Sequence, residues 1–230
     1  MKTKVILIII LSLIVSTASF CVIPQPAFKT GFDALSKEEQ AILNDAFEEE
    51  NSKLNDVINY TALIEAVNNV SKLDWFDVVN NFFTKYDLTA TVIDCKTKKS
   101  YKVIRVGGYN HADVQPIDAE NTAVMKSLYD NVWSWTRRPV WVEINGSYVA
   151  GSINGMPHGY TLISGNNMDG HTCIHFLNSM THGTKRVDEA HQEAVNYAYD
   201  HKAELLEYLI KKNSSFWCLK NKNRSIIFLS

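Results

Sequence analysis

Apolar positions change their spacing twice along the chain. Residues 5–15 are apolar except for Ser12, follow Lys2 and Lys4, and give way to the small residues Ser16, Thr17, Ala18 and Ser19. A charged start, an apolar stretch too short to span a bilayer comfortably and a Ser16-x-Ala18 cleavage site are the marks of a secretory signal peptide. Residues 1–20 therefore stand outside the expected fold. Lipid attachment at Cys21 competes, against the bulk of Phe20 before it, and an uncleaved anchor is the other alternative. Each of the three places the remaining chain beyond the cytoplasmic membrane.

From residue 36 to 70 the spacing is helical. Ser36-Lys-Glu-Glu39 forms a capping box, Ala41, Ile42, Ala46 and Phe47 share one face, and Val57, Ile58, Leu63, Ile64, Ala66 and Val67 continue the pattern. Ser71-Lys-Leu-Asp74 caps a short aromatic helix that ends at Phe83. The period then drops to two: residues 88–94 alternate, Thr97-Lys98-Lys99 turns, and residues 101–106 return as the second arm of a hairpin. Gly107-Gly108 breaks it. Residues 118–129 have the content of a short helix with Asp118 as its cap. Residues 139–144 and 147–153 flank Asn145-Gly146, which suits a two-residue type I′ turn, and give the strongest hairpin signal in the chain. Residues 173–177 read as a buried strand, 188–212 as a long amphipathic helix, and 217–230 as a candidate last strand. The expected organisation is a signal peptide (1–20), a helical N-terminal region (21–86) and a β-rich domain with a C-terminal helix (87–230), an α+β fold.

Composition narrows the partners. With 230 residues, 46% hydrophobic and 21% charged, the chain has material for one core, or one domain with a helical appendage, and is neither disordered nor collagen-like. Its 23 basic against 25 acidic residues exclude a strongly basic nucleic-acid binder, and without Lys2 and Lys4 the balance is 21 against 25. Membrane contact is expected only through the signal segment, if that is uncleaved. Cys21, Cys95, Cys173 and Cys218 are far apart with no C-x-x-C pair, so they do not staple a small scaffold, although export permits a pairing such as Cys95–Cys218.

The candidate chemistry lies between Gly107 and His191. Six of the seven histidines fall between 111 and 191, and the densest part is Met156-Pro-His158-Gly159 with Gly170-His171-Thr172-Cys173-Ile174-His175. A thiol needs an imidazole beside it to react near neutral pH, whereas a structural cysteine needs only apolar neighbours. Cys173 is therefore the candidate nucleophile.

His158-Gly159, a loop, and Gly170-His171-Thr172-Cys173-Ile174-His175 resemble the HG…[S/T]HGC[IV]R signature of the L,D-transpeptidases, over roughly residues 87–185. The resemblance implies an exported, cell-envelope enzyme with a β-rich L,D-transpeptidase-like catalytic core, reached through a hairpin such as 140–153, acting on peptidoglycan stem peptides without a cofactor. It implies Cys173 as nucleophile and His158 as general base, with His171 matching the histidine two places before the cysteine. Backbone N–H groups near Thr172 and Cys173 would hold the oxyanion. Gly159, Thr172 and His175 would line the substrate; Thr172 stands for a glycine, Gly170 for Ser or Thr, and His175 for an arginine of the signature. With an amine acceptor the reaction is a transpeptidation, with water a carboxypeptidation.

A zinc site is the rival reading. His111, Asp113, His171 and His175, with His158 and Cys173 near them, supply nitrogen, oxygen and sulfur donors, and positions 171, 173 and 175 of a strand point the same way. Such a centre would make a zinc-dependent wall amidase or peptidase using water. The spacing matches the thiol signature better than a zinc-peptidase pattern. A third reading is a non-catalytic wall-binding module in which Trp133, Trp135 and Trp141 stack on sugars, core packing being the simpler role for them. His111-Ala-Asp113 orients a ring or, more simply, makes a turn. Arg138, with Arg137, grips a substrate carboxylate or covers a sheet edge. Thr181-His182-Gly183 is expected at the pocket rim, and His191 and His201 on the solvent face of the last helix.

Overall fold

The computed structural model describes Asp33 and residues 35–213. The expectations for the signal segment, Cys21, Cys218 and a last strand at 217–230 lie outside the described residues. The chain divides into two units, residues 1–57 and 58–230. Among the described residues no helix is long and apolar enough to cross a membrane.

Helix α1 (Lys37–Asn68) runs through the division and begins at the expected capping box. The backbone N–H of Ser36 donates to the Glu39 carboxylate at 3.0 Å, and the N–H of Glu39 donates to Ser36 Oγ at 3.3 Å, so two otherwise unpaired donors are satisfied reciprocally.

The second unit is built on six antiparallel strands, β1 (Thr89–Asp94), β2 (Ser100–Gly107), β3 (Ala112–Pro116), β4 (Arg138–Ile144), β5 (Ser147–Ile153) and β6 (Thr172–His175). They close into a barrel in the order β1-β2-β3-β6-β5-β4. The protein is therefore α+β, as the sequence pattern predicts. Both hairpins form, and Asn145 and Gly146 take the positive φ of a type I′ turn, 51° and 80°.

Alternation along each strand separates two apolar clusters. Ala90 and Val92, Val103, Ala112 and Val114, Val140 and Val142, Ile153 and Ile174 fill the barrel with Phe176, Met125 and Trp75. The opposite faces of β1, β4 and β5 give Ile93, Trp141 and Ala150 to a second cluster with Val195 and Ala198 of a helix laid across them. Strands apolar on both faces show only a weak alternation in the sequence.

Residues 58–86, which the sequence pattern groups with a helical N-terminal region, belong to this unit. Asp74 accepts from the N–H groups of Phe76 and Asp77 and starts a π turn, Trp75–Val79, that continues as α2 (Asn80–Phe82). Arg105, buried in β2, ties this segment down by donating to the Phe83 carbonyl (2.6 Å) and to Asn80 Oδ1 (2.7 Å). Asp118 caps α3 (Ala119–Ser127), accepting from Asn121 N.

Two expectations are corrected. The helix predicted over 188–212 stops at Asp200: α4 (Glu189–Asp200) ends on His201, a single 3-10 turn Lys202–Glu204 follows, and helix resumes over 205–213. The segment His111-Ala-Asp113 is not a turn, because Ala112 opens β3 and pairs with Ile174 of β6.

Candidate active site

The register of β3 on β6 sets Asp113 opposite Cys173, and that of β5 on β6 sets Ser152 opposite His175. Because Ala112, Val114 and Ile174 face the barrel interior, Asp113, Cys173 and His175 share its outer surface. The site is thus a row on the outside of the β3-β6-β5 sheet, covered at the His175 end by α4 and at the Cys173 end by two loops.

The first loop, between β5 and β6, brings His158 to the cysteine. His158 and His171 exchange backbone hydrogen bonds, N–H to carbonyl, at 2.9 and 2.8 Å. Two glycines allow that approach. A Cβ at Gly159, whose φ is +70°, would lie 2.4 Å from His171 Cε1, and one at Gly170, φ +104°, would lie 2.7 Å from the His158 carbonyl oxygen. Gln115 of β3 holds the loop between them: its amide donates to the Gly170 carbonyl at 2.9 Å and accepts from Leu162 N at 2.8 Å and Ile163 N at 3.1 Å.

His158 Nε2 lies 3.2 Å from Cys173 Sγ, and its Nδ1 donates to the Met156 carbonyl at 2.9 Å. A carbonyl only accepts, so Nδ1 carries the proton and Nε2 presents a lone pair to the thiol. The second loop contributes His182, whose Nε2 is 3.7 Å from the same sulfur and 3.1 Å from Asp113 Oδ1. His111 Nε2 is 3.2 Å from Asp113 Oδ1 and 3.0 Å from His182 Nε2, while its Nδ1 donates to the Met180 carbonyl at 2.5 Å. His171 donates from Nδ1 to the Tyr160 carbonyl at 3.3 Å; its Nε2 is buried without a hydrogen-bond partner, 3.7 Å from Asp113 Oδ1.

Charge in this cluster is set by burial and by Asp113. Burial pushes the Cys173 thiol well above the ordinary range, and the Asp113 carboxylate, 3.9 Å away, pushes the same way. Burial also acts to raise Asp113, but the rings of His111, His171 and His182 around it outweigh burial and hold the carboxyl below its usual value. His171 and His182 are lowered by burial against the pull of Asp113. The thiol therefore rests protonated beside His158.

The expected residues meet different fates. Cys173, His158 and His171 converge. Gly159 and Gly170 shape the backbone around them. Thr172 points into the barrel, its hydroxyl donating to the Asn154 carbonyl, and its φ is not positive. His175 does not face a substrate: it is buried between His111 and His191, with ring centroids at 4.4 and 3.7 Å. Burial and the neighbouring histidines push its pKa far down. His191 is likewise buried rather than solvent-facing, with Nδ1 2.8 Å from Ser152 Oγ, whereas His201 is half-exposed and stacks on Tyr197 at 3.8 Å. Arg138 is engaged by Asp94, Nε to Oδ1 at 2.8 Å and Nη2 to Oδ2 at 2.9 Å. Trp141 is fully buried and Trp133 packs against the core; Trp135 is exposed, its ring 5.0 Å from that of His158.

The donor set for a metal is also regrouped. His175 is not part of it. Two tetrads have all ligand atoms within 4.8 Å of one another: His158, His171, Cys173 and His182, and His111, Asp113, Cys173 and His182. His182, expected only at the rim, is common to both; Thr181-His182-Gly183 is loop, with no period to aim its ring. Set against protein-family models, curated proteins and solved structures, the chain matches none.

Proposed function

We propose that the chain is an exported cysteine-dependent acyltransferase that acts on peptidoglycan stem peptides, in the manner of an L,D-transpeptidase or L,D-carboxypeptidase. One observation carries the reading: Cys173 Sγ within 3.2 Å of a His158 Nε2 whose ring is oriented by the Met156 carbonyl. It is the geometry nucleophilic catalysis needs, a nucleophile on a base and the base on an orienting group. The HG…GHxC spacing is what supports the substrate class, and the apolar stretch at residues 5–15 is what supports the compartment.

In the reaction, Cys173 attacks an amide carbonyl of the stem peptide as His158 takes the thiol proton. The tetrahedral intermediate collapses to a thioester, and His158 returns the proton to the departing amine. A second amine, or water, then attacks the thioester and releases Cys173 as thiol. Because the thiol rests protonated, proton removal accompanies attack rather than preceding it. Trp135, Tyr160 and Leu162 are exposed around this end of the site and offer apolar surface to the peptide.

The test is mass analysis of muropeptides after incubation with the parent and with Cys173→Ser. New cross-links or shortened stems formed only by the parent, with an acyl-enzyme mass on Cys173, are expected. Unchanged muropeptides with a folded parent refute the proposal.

A further inference from the structure

The cluster holds more lone pairs than protons. His158, His111 and His171 each donate Nδ1–H to a backbone carbonyl, of Met156, Met180 and Tyr160, so each turns a bare Nε2 inward. With the Asp113 carboxylate that makes four acceptors. Facing them are the hydrogen on Cys173 Sγ and, in the tautomer that carries one there, a hydrogen on His182 Nε2, so at most two. The deficit is visible at His171, whose buried Nε2 points into the cluster and finds no donor. A ring nitrogen fixed by a carbonyl behind it, with its lone pair aimed at sulfur, nitrogen and oxygen donors, is the arrangement that orients a metal ligand.

We infer that this cluster binds one thiophilic divalent cation of the zinc class, held by Cys173 and His182 together with either His158 and His171 or His111 and Asp113. Zinc bonds to nitrogen and sulfur, taken at tetrahedral angles, put ligand atoms about 3.4 Å apart for nitrogen pairs and about 3.6 Å for nitrogen with sulfur. The separations are 3.7 Å for Cys173–His182, 3.2 Å for Cys173–His158, 3.0 Å for His111–His182, 3.1 Å for His182–Asp113 and 3.2 Å for His111–Asp113. Both tetrads use Cys173 and His182, so they compete for a single ion.

Either tetrad fills all four positions with protein, which leaves no place for a reactive water and distinguishes this centre from a hydrolytic zinc site. Binding replaces the thiol proton, which is released to solvent, and His182 ligates in the tautomer that carries its proton on Nδ1; nothing is oxidised or reduced. The ion also takes the sulfur that the acyl-transfer reading needs, and on that reading metal occupancy and catalysis exclude each other. The cation is then a reversible off-switch.

The experiment is a cobalt(II) titration of the reduced full chain, followed by absorption, with zinc competition. The inference expects one equivalent bound, a near-ultraviolet thiolate-to-cobalt band, visible bands of four-coordinate intensity, and displacement by zinc. Cys173→Ser loses the thiolate band while any contribution of Cys21, Cys95 or Cys218 persists. His182→Ala, at a half-exposed loop position that the fold tolerates, weakens binding roughly tenfold or more. No thiolate band in the parent, an unchanged band in Cys173→Ser, or parental affinity in His182→Ala overturns the site. Cobalt- or zinc-loaded protein that still transfers or hydrolyses the peptide overturns the switch. Cobalt binding without an acyl-enzyme refutes the acyltransferase and leaves the metal site; an acyl-enzyme without cobalt binding does the reverse.

Discussion

Acid should unfold this protein through the histidines stacked behind the site, and His191 makes the effect measurable. Its ring lies 3.7 Å from that of His175 at an interplanar angle of 5°, with Nδ1 2.8 Å from Ser152 Oγ. Burial, reinforced by Arg137 and His111 and opposed by Asp188, pushes its pKa down to about 3. An unfolded histidine titrates near 6.5. Between those values the unfolded chain takes up a proton that the folded chain refuses. The stability is therefore fully present above the unfolded pKa and is lost as the pH falls from there toward the folded one. One such proton is worth roughly 1.4 kcal/mol per pH unit, so His191 alone removes about 2 kcal/mol by about pH 5. His175, held down more strongly by burial and its histidine neighbours, adds to the slope in the same direction. Urea unfolding followed by far-ultraviolet circular dichroism at a series of pH values measures the slope directly. His191→Gln should lose less stability on acidification than the parent, by about one proton's worth. Parallel pH profiles for the two would refute the argument, because the buried ring would then not be the group that resists protonation.

Other perturbations separate the shaping of the site from its chemistry. Gly159→Ala forces a Cβ to 2.4 Å from the His171 ring at a φ of +70°, and should cost about 1–3 kcal/mol in thermal unfolding and disorganise the thiol-imidazole pair, read as loss of acyl-enzyme. Gln115→Leu strands the Leu162 and Ile163 N–H groups and the Gly170 carbonyl; the expected loss is about 1–3 kcal/mol with a lower acyl-transfer rate. Arg138→Ala leaves the fully buried Asp94 carboxylate unpaired by its only ion-pair partner among the described residues, and should lower stability by roughly 3 kcal/mol while leaving the KM for a stem peptide unchanged. A raised KM would instead assign Arg138 to the substrate. At neutral pH Cys173 should alkylate more slowly in the folded chain than in urea, its rate still climbing beyond the pH range of an ordinary thiol, because burial and Asp113 favour the protonated form.

What the sequence discloses follows from how local each determinant is. The capping box at Ser36, the caps at Asp74 and Asp118 and the Asn145-Gly146 turn act within four residues, and the structure forms each. β3 was hidden because its outward positions are Asp113 and Gln115, which read as solvent residues; both are buried because histidines and loop N–H groups satisfy them. Period two correctly aligns positions 171, 173 and 175, but cannot say which part of that face a helix will cover. Helix α4 covers His175 and leaves Cys173 to the loops, so two residues of the same pattern acquire opposite environments. His182 depends entirely on where a loop returns, and no spacing encodes that.

The pairing of Asp113 with Cys173 bears on both proposed chemistries, acyl transfer and metal binding. A carboxylate beside a thiol raises the cost of the thiolate and lowers the cost of an imidazolium, so it biases the site against a standing thiolate–imidazolium pair on the sulfur side while favouring it on the nitrogen side. On the acyltransferase proposal, the protonated thiol that results reacts only when a carbonyl carbon accepts the sulfur as the proton leaves. A bound divalent cation would reverse the balance: its charge would stabilise thiolate and carboxylate together and use the lone pairs that protons leave unmatched. The strand register that sets these two side chains opposite each other keeps the sulfur protonated when alone, and on the two proposals it is this quiet sulfur that an electrophile or a metal would take.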